Sequence, residues 1–365
     1  MFKSLTAFSF GAAVLVCSVT TQAAPFAYIA DDGAARVTVI DTATNLTVTN
    51  ITGVGTAPEG VAVNAAGTRV YVTNSVTSGT VAVINTATNT VIATIAVGAD
   101  PFGIAINPAG TRVYVANFTT GSVSVIDTTS NTVVTTITLA KGVAGVAVNP
   151  AGTRVYISNE LSGTVSVIDS ATNTVAASIP SAGRLGLVVN SAGTRVYSGF
   201  GNTLKVIDTS TNTVIATVPV GVEGIAINPA GTFVYATDVP TFSPSHVSVV
   251  NTATNTLVTS ITVGTTAEGL DVTPDGSRVY VANSSTASVA VIDTATNTVI
   301  ATLPTGAGSA PFAFGKFIGG ISAPPPPPPP PVATTPVPSL SEWGMLLMIA
   351  LVSLGGFLAL RRNAG

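Results

Sequence analysis

Glu59, Glu223 and Glu268 each stand directly before a glycine that opens a short apolar run, and related runs carry Phe102, Ala144 and Leu185 at that place, with Phe312 in a last such run. Three carboxylates and two aromatic rings at one recurring position are the residues of this chain best suited to chemistry. Several oxygens together suit a hard cation, and calcium is the metal that Glu59, Glu223 and Glu268 would hold. Acids beside rings equally suit a platform for a sugar or a cationic partner. The plain alternative is that these are solvated loop residues some distance apart. His246, the only histidine, shares the irregular segment from Asp238 to His246 with Phe242. A lone histidine cannot assemble a histidine metal cluster, and no GxSxG or paired nucleophile-and-base motif accompanies it. For His246 a catalytic role therefore stands against that of an ordinary loop residue.

These residues recur because the chain repeats. VIDTATN at Val39–Asn45 returns in variant form at Val83, Val125, Val167, Val206, Val249 and Val291, and the seven tyrosines (Tyr28, Tyr71, Tyr114, Tyr156, Tyr197, Tyr235 and Tyr280) mark the same period. A spacing of about 42 residues belongs to solenoids and propellers. The unit from Gly103 to Gly142 divides into GIAIN, RVYVAN, SVSVID and TVVTTITL, separated by the turn signals PAGT, FTTG and TTSN. Four short strands per repeat make a propeller blade, and β-branched density with a turn signal every ten residues or so excludes helical repeats. The chain enters at the second strand of a unit (Phe26–Asp31) and ends on a lone first-type strand (Pro311–Phe317). The expected fold is all-β: a seven-bladed β-propeller of four-stranded blades, closed by a C-terminal strand that joins the N-terminal three and so hides the edges of an open ring.

Composition narrows the function classes. Charged residues are 8% of the chain and the net charge is −3, with no basic cluster able to track a phosphate backbone, so nucleic acid is not an expected partner. The single cysteine, Cys17, lies in an N-terminal apolar run with one basic residue and small residues near Ala23, a pattern that reads as a signal peptide over residues 1–23. The propeller would then occupy 24–321 without disulfides or thiol chemistry. A proline-rich linker follows over 322–338, in which Pro324 to Pro331 form a polyproline II spacer of roughly 25 Å. Residues 339–365 hold an uncharged apolar stretch, 344–360, before Arg361 and Arg362, the pattern of a short transmembrane helix with a positive-inside stop.

YVTN at Tyr71–Asn74, YVAN at Tyr114 and Tyr280, and the repeated GVAVN, NPAGT and VIDTATN segments resemble the YVTN β-propeller family, related to surface-layer proteins, over about residues 26–318. Blades five (YSGF) and six (YATD) depart from the motif. The tail from Pro338 to Arg362 resembles the IPTL-CTERM sorting signals of Gram-negative envelope proteins, with Val337-Pro338-Ser339-Leu340 where IPTL would stand and Ser341-Glu342-Trp343 carrying most of the match. The resemblance implies export, processing by an exosortase-type enzyme, at least transient anchoring in the inner membrane, and a place at the cell surface or outer envelope of a Gram-negative bacterium.

Comparing the repeats separates two faces. NPAGT and DTATN turns hardly vary and read as turn chemistry, in which Asn, Asp and Gly supply side-chain bonds and positive φ. Arg69, Arg112, Arg154, Arg195 and Arg278 recur beside them and are expected to pair with the Asp of VIDTATN between blades. The opposite loops (SVTSG, FTTG, ELSG, GN, VPTFSPSH, SSTA) differ throughout, and variable loops on a rigid scaffold are where binding lies. Asp31, Asn74, Asn117, Asn159, Asp238 and Asn283 close the second strands there and are expected to bond loop backbones. The expected function is that of a non-enzymatic surface propeller binding or displaying a glycan, envelope polymer or protein through this face, at Glu59, Phe102, Glu223, Glu268, Phe312, Phe242 and His246, with no cofactor unless Ca2+. The rival is a metal-dependent lyase or lactonase using the channel-mouth carboxylates.

Overall fold

The computed structural model describes residues 25–238 and 244–319. The expected signal peptide, linker, sorting tail and membrane span lie outside the described residues, as does Phe242. Among the described residues there is no helix long and apolar enough to cross a membrane. Seven four-stranded antiparallel sheets form the blades: 26–52 with 318–319, then 58–96, 101–138, 143–179, 187–218, 225–264 and 267–304. From the second blade to the seventh, the first strands pack against one another in sequence and line a central channel.

Alternation builds the blades. RVYVAN and SVSVID bury both faces because a sheet lies on either side, whereas the outer strand TVVTTIT alternates exposed and half-buried residues. The core consequently sits between blades. Tyr71, Val81 and Val83 of the second blade pack with Ile104, Val113 and Val115 of the third, and the other interfaces repeat the arrangement. Each buried Val or Ile contributes about 1.5–3 kcal/mol.

The invariant turns behave as expected. Asn45, Asn89, Asn131, Asn173, Asn212, Asn255 and Asn297, the last residue of each VIDTATN copy, all adopt φ between 51° and 58°, the left-handed region that Asn tolerates. Asp41 and its counterparts accept backbone N–H groups two and three residues on, as with Ala43 at 2.7 Å and Thr44 at 3.2 Å. The arginine expectation needs correcting. Arg112–Asp127, Arg154–Asp169 (2.5 Å) and Arg195–Asp208 (2.6 Å) pair across adjacent strands of the same blade, because the register sets each Arg opposite its own Asp. Arg278 does cross the seam, donating to Thr42 O at 2.5 Å.

Closure follows the expected design with a detour. Ile318–Gly319 pairs with Ala27 and Phe26, and Pro311 bridges Asp31. Between Asp31↔Pro311 and Ala27↔Ile318 the closing chain advances seven residues where its partner advances four. The surplus leans onto the second blade, where Phe314 O and Lys316 O accept Val61 N–H and Val63 N–H at 2.8 and 2.9 Å. Asp271 of the seventh blade accepts Ile318 N–H at 2.8 Å, so the closing segment is held from three blades.

Neighbouring inner strands meet at the glycines. A Cβ on Gly60, Gly103, Gly145, Gly186, Gly224 or Gly269 would come within 1.8–2.7 Å of a carbonyl oxygen of the next blade. Hydroxyls reinforce the contact: Gly60 N–H donates to Thr73 Oγ1, which donates to Phe102 O, and Gly145, Ser158 and Leu185 repeat the relay. Gly269→Ala, placed 1.8 Å from Ala313 O, is expected to destabilise the propeller by about 1–3 kcal/mol. Denaturant unfolding of the variant checks this, and an unchanged midpoint would refute the glycine contact.

Candidate functional site

The inner strands do not run straight to the variable face. In the second, third and fourth blades a bulge falls between Pro58 and Val61, Pro101 and Ile104, and Val143 and Val146, and in the seventh between Ala267 and Gly269. Glu59, Phe102, Ala144 and Glu268 are the bulge residues. A bulge re-aims a side chain and ends regular pairing, while the carbonyls of Phe102, Ala144 and Glu268 face the glycine of the preceding blade.

The aromatic expectation gains a member. Phe102 and Phe312 meet edge-on at 5.9 Å, and Phe314 lies 4.8 Å from the first and 5.1 Å from the second. Phe314 was not apparent in the sequence, because the three-residue surplus of the closing segment alone brings it there. With Ala313 and the ring glycines, Phe102 and Phe314 line a neck of about 40 Å³ in the channel.

The carboxylates are arranged differently from a cation cage. Among the described residues no three His, Cys, Asp or Glu side chains form a group that could hold a metal ion; Glu59, Glu223 and Glu268 are near enough for Glu268 to repel the other two, but each has its own surroundings. Glu59 Oε2 is buried without a hydrogen-bond partner. Burial, with Asp32, Glu268 and Asp100 adding repulsion against a hydrogen bond from Ser75, pushes Glu59 from 4.5 up to about 8. Burial and Glu268 push Glu223 up to about 7, with Arg184 opposing. Glu268 is raised by burial and accepts Ser284 Oγ at 3.2 Å.

Glu223 lines a separate polar pocket of about 270 Å³ with Arg184, Gly201, Asn202, Gly221 and Asp238, between the fifth and sixth blades. Arg184 is held by Glu160 of the ELSG loop at 3.2 Å. Asp238 accepts His246 N–H at 2.6 Å, and His246 Nδ1 lies 3.6 Å from its other oxygen. His246 thus stands beside the pocket wall, and among the described residues no nucleophile-and-base pair is formed with it. Arg184 went unnoticed in the sequence, although a signal was there: two residues before the ring glycine stand Pro58, Pro101, Val143, Arg184, Val222 and Ala267, and Arg184 is the single charge among them. The polar residues closing the second strands bond loop backbones as expected: Asn74 accepts Ala57 N–H at 2.8 Å, Asn117 accepts Gly98 N–H at 3.1 Å, and Asp31 accepts Ala310 N–H at 2.9 Å. Asn283 departs, with both side-chain polar atoms unpartnered.

Comparison with known proteins follows the same division between body and tail. The family model described as Lactonase, 7-bladed beta-propeller, matches residues 26–144, and the IPTL-CTERM motif matches residues 335–362. No curated protein sequence matches the chain. Among solved structures it is similar to a functionally unknown protein from Desulfotomaculum acetoxidans DSM 771, with 17% identity, TM-score 0.66, and 80% of this chain and 99% of that one covered. Hydrazine synthase of Kuenenia stuttgartiensis is similar at 17% identity and TM-score 0.62, over 68% of this chain and 87% of that one. The dihydro-heme d1 dehydrogenase NirN, solved in complex with DHE, is similar at 13% identity and TM-score 0.57, over 81% and 77%. These likenesses show the fold alone. The chain is a seven-bladed β-propeller followed by an IPTL-CTERM motif, a sorting signal that points to an exported, cell-surface protein and implies processing by a sorting enzyme.

Proposed function

We propose that the protein is a non-enzymatic surface propeller that binds a polyhydroxylated envelope ligand, a glycan or the glycan part of an envelope polymer, through its variable-loop face. The pocket formed by Arg184, Asn202, Glu223 and Asp238 carries this reading, because it gathers a guanidinium, an amide and two carboxyls in about 270 Å³. Sugar hydroxyls both donate and accept. The Glu223 carboxyl, pushed up to about 7, matches them, since its protonated form donates as well as accepts. Rings such as Phe102 and Phe312 supply an apolar surface on which a sugar face can stack.

Thr42 N–H, in an invariant turn, donates to Pro25 O, and Gly319 pairs with Phe26, so the described propeller strands begin and end on the constant-turn face. In this reading the stretch 344–360 anchors the chain at least transiently in the inner membrane of a Gram-negative cell, and an exosortase-type enzyme processes it. No cofactor is required.

A second reading, a metal-dependent propeller lactonase or lyase, is favoured by the family match over residues 26–144 and by carboxyls poised near neutral pH. Surface plasmon resonance of the full chain on immobilised envelope polysaccharide separates the two. Saturable binding that Arg184→Ala and Glu223→Ala weaken about tenfold or more, through loss of charge-assisted bonds, and that Arg69→Ala leaves unchanged, supports the first. Turnover of δ-lactones with added calcium, lost in Glu223→Gln, would replace it with the second.

The acid titrations add a stability test. Glu59 keeps its proton in the folded chain up to about pH 8, while the unfolded chain releases it near 4.5. Stability contributed by this group is therefore full below pH 4.5 and falls as pH rises towards 8. Glu59→Gln is expected to match the natural chain at pH 4 and to melt higher at pH 9 by about 2–4 °C; equal melting at pH 9 would contradict the buried acid.

A further inference from the structure

Below the glycine neck, on the side of the constant turns, the channel opens into a funnel of about 430 Å³, within the size range of small-molecule sites. Val63, Ile106, Val148, Val189, Ile227 and Val272, the ends of the inner strands, make most of its rim apolar. Two charged residues interrupt that wall, Asp271 and Lys316.

Both are departures from the repeat. The place of Asp271 is held by Ala62, Ala105, Ala147, Val188 and Ala226 in the preceding blades, and Lys316 lies in the closing segment that leans onto the second blade. Their commitments differ. Asp271 is 7% exposed, and its two oxygens accept Val272 N–H and Ile318 N–H, each at 2.8 Å. Lys316 is exposed to the funnel, and among the described residues its ammonium forms no ion pair within 4.0 Å and no hydrogen bond. Lys316 is near enough to Asp271 to favour that carboxylate, but both Asp271 oxygens are engaged by backbone N–H groups, so the ammonium keeps its hydrogen-bonding capacity; against apolar walls it selects a ligand with one anionic head and an apolar body, because the head gains a charge-assisted bond in a region with little competing water and the body covers exposed aliphatic surface.

We propose that this funnel binds a medium-chain carboxylate, with its head on Lys316 and its chain along the inner-strand ends. The site is distinct from the variable-loop pocket, since no residue lines both.

The test uses the full chain in nanodiscs of uncharged lipid, with empty nanodiscs as the baseline and decanoate labelled with carbon-13 at the carboxyl as the probe, titrated by NMR. Saturable binding is expected for the natural chain, about tenfold or more weaker for Lys316→Met and restored by Lys316→Arg. Decanol, with the same chain and no charge, should bind about tenfold or more weakly, and Arg184→Ala should leave decanoate binding unchanged. Lys316 is exposed, so these substitutions keep the fold. Equal affinity of the natural chain and Lys316→Met, equal affinity for decanoate and decanol, or no binding above empty nanodiscs would overturn the proposal.

Discussion

The approach of one inner strand to the next, glycine against carbonyl, is the contact on which the molecule depends. A methyl group at Gly269 or Gly145 would sit 1.8 or 2.1 Å from the neighbouring oxygen, so a larger residue would push the blades apart at the axis, where there is least room. The contact also makes the site. The oxygen it uses belongs at Phe102, Ala144, Leu185, Glu223 and Glu268 to the residue before the ring glycine. The backbone of each is committed to the ring, and its side chain remains to vary from blade to blade. Structure and candidate function thus occupy one position without competing for the same atoms.

The two faces divide the labour by turn chemistry. On one, left-handed asparagines and Asx-type bonds repeat almost unchanged, and the described propeller strands begin and end there. On the other, loops without a fixed turn type tolerate change, and the charged residues that raise one another's pKa collect there. The surface ion pairs Arg112–Asp127, Arg154–Asp169 and Arg195–Asp208 sit half-exposed beside the constant turns, where such pairs contribute little to stability. Packing between blades, renewed seven times, carries the fold instead.

Much of this was legible in the sequence because propeller repeats are written in register: the blade count, the strand order, the closing segment and the turn roles follow from VIDTATN, NPAGT and the tyrosines. The position of Glu59, Phe102, Glu223, Glu268 and Phe312 was legible for the same reason. Their grouping was not. A bulge shifts a side chain without changing spacing, so the separation of Glu223 into a pocket with Arg184, and the arrival of Phe314 beside Phe102, needed the fold. Register likewise decided that Arg112 pairs within its blade, since sequence distance does not distinguish the two arrangements. Arg184 and Asp271 carried a signal that position-by-position comparison of the repeats would have caught, each being the one charge in its column of inner-strand residues.

The proposed glycan ligand is taken on the variable-loop face, at the pocket of Arg184 and Glu223, and not at the constant turns. Hydrogen–deuterium exchange of the full chain, with and without the envelope polysaccharide fraction, tests this most directly. The account predicts new protection in the segments around 160–163, 199–203 and 221–224, with none in the turns at 107–111, 149–153 and 190–194. Protection confined to those turns, or spread equally over both faces, would contradict it.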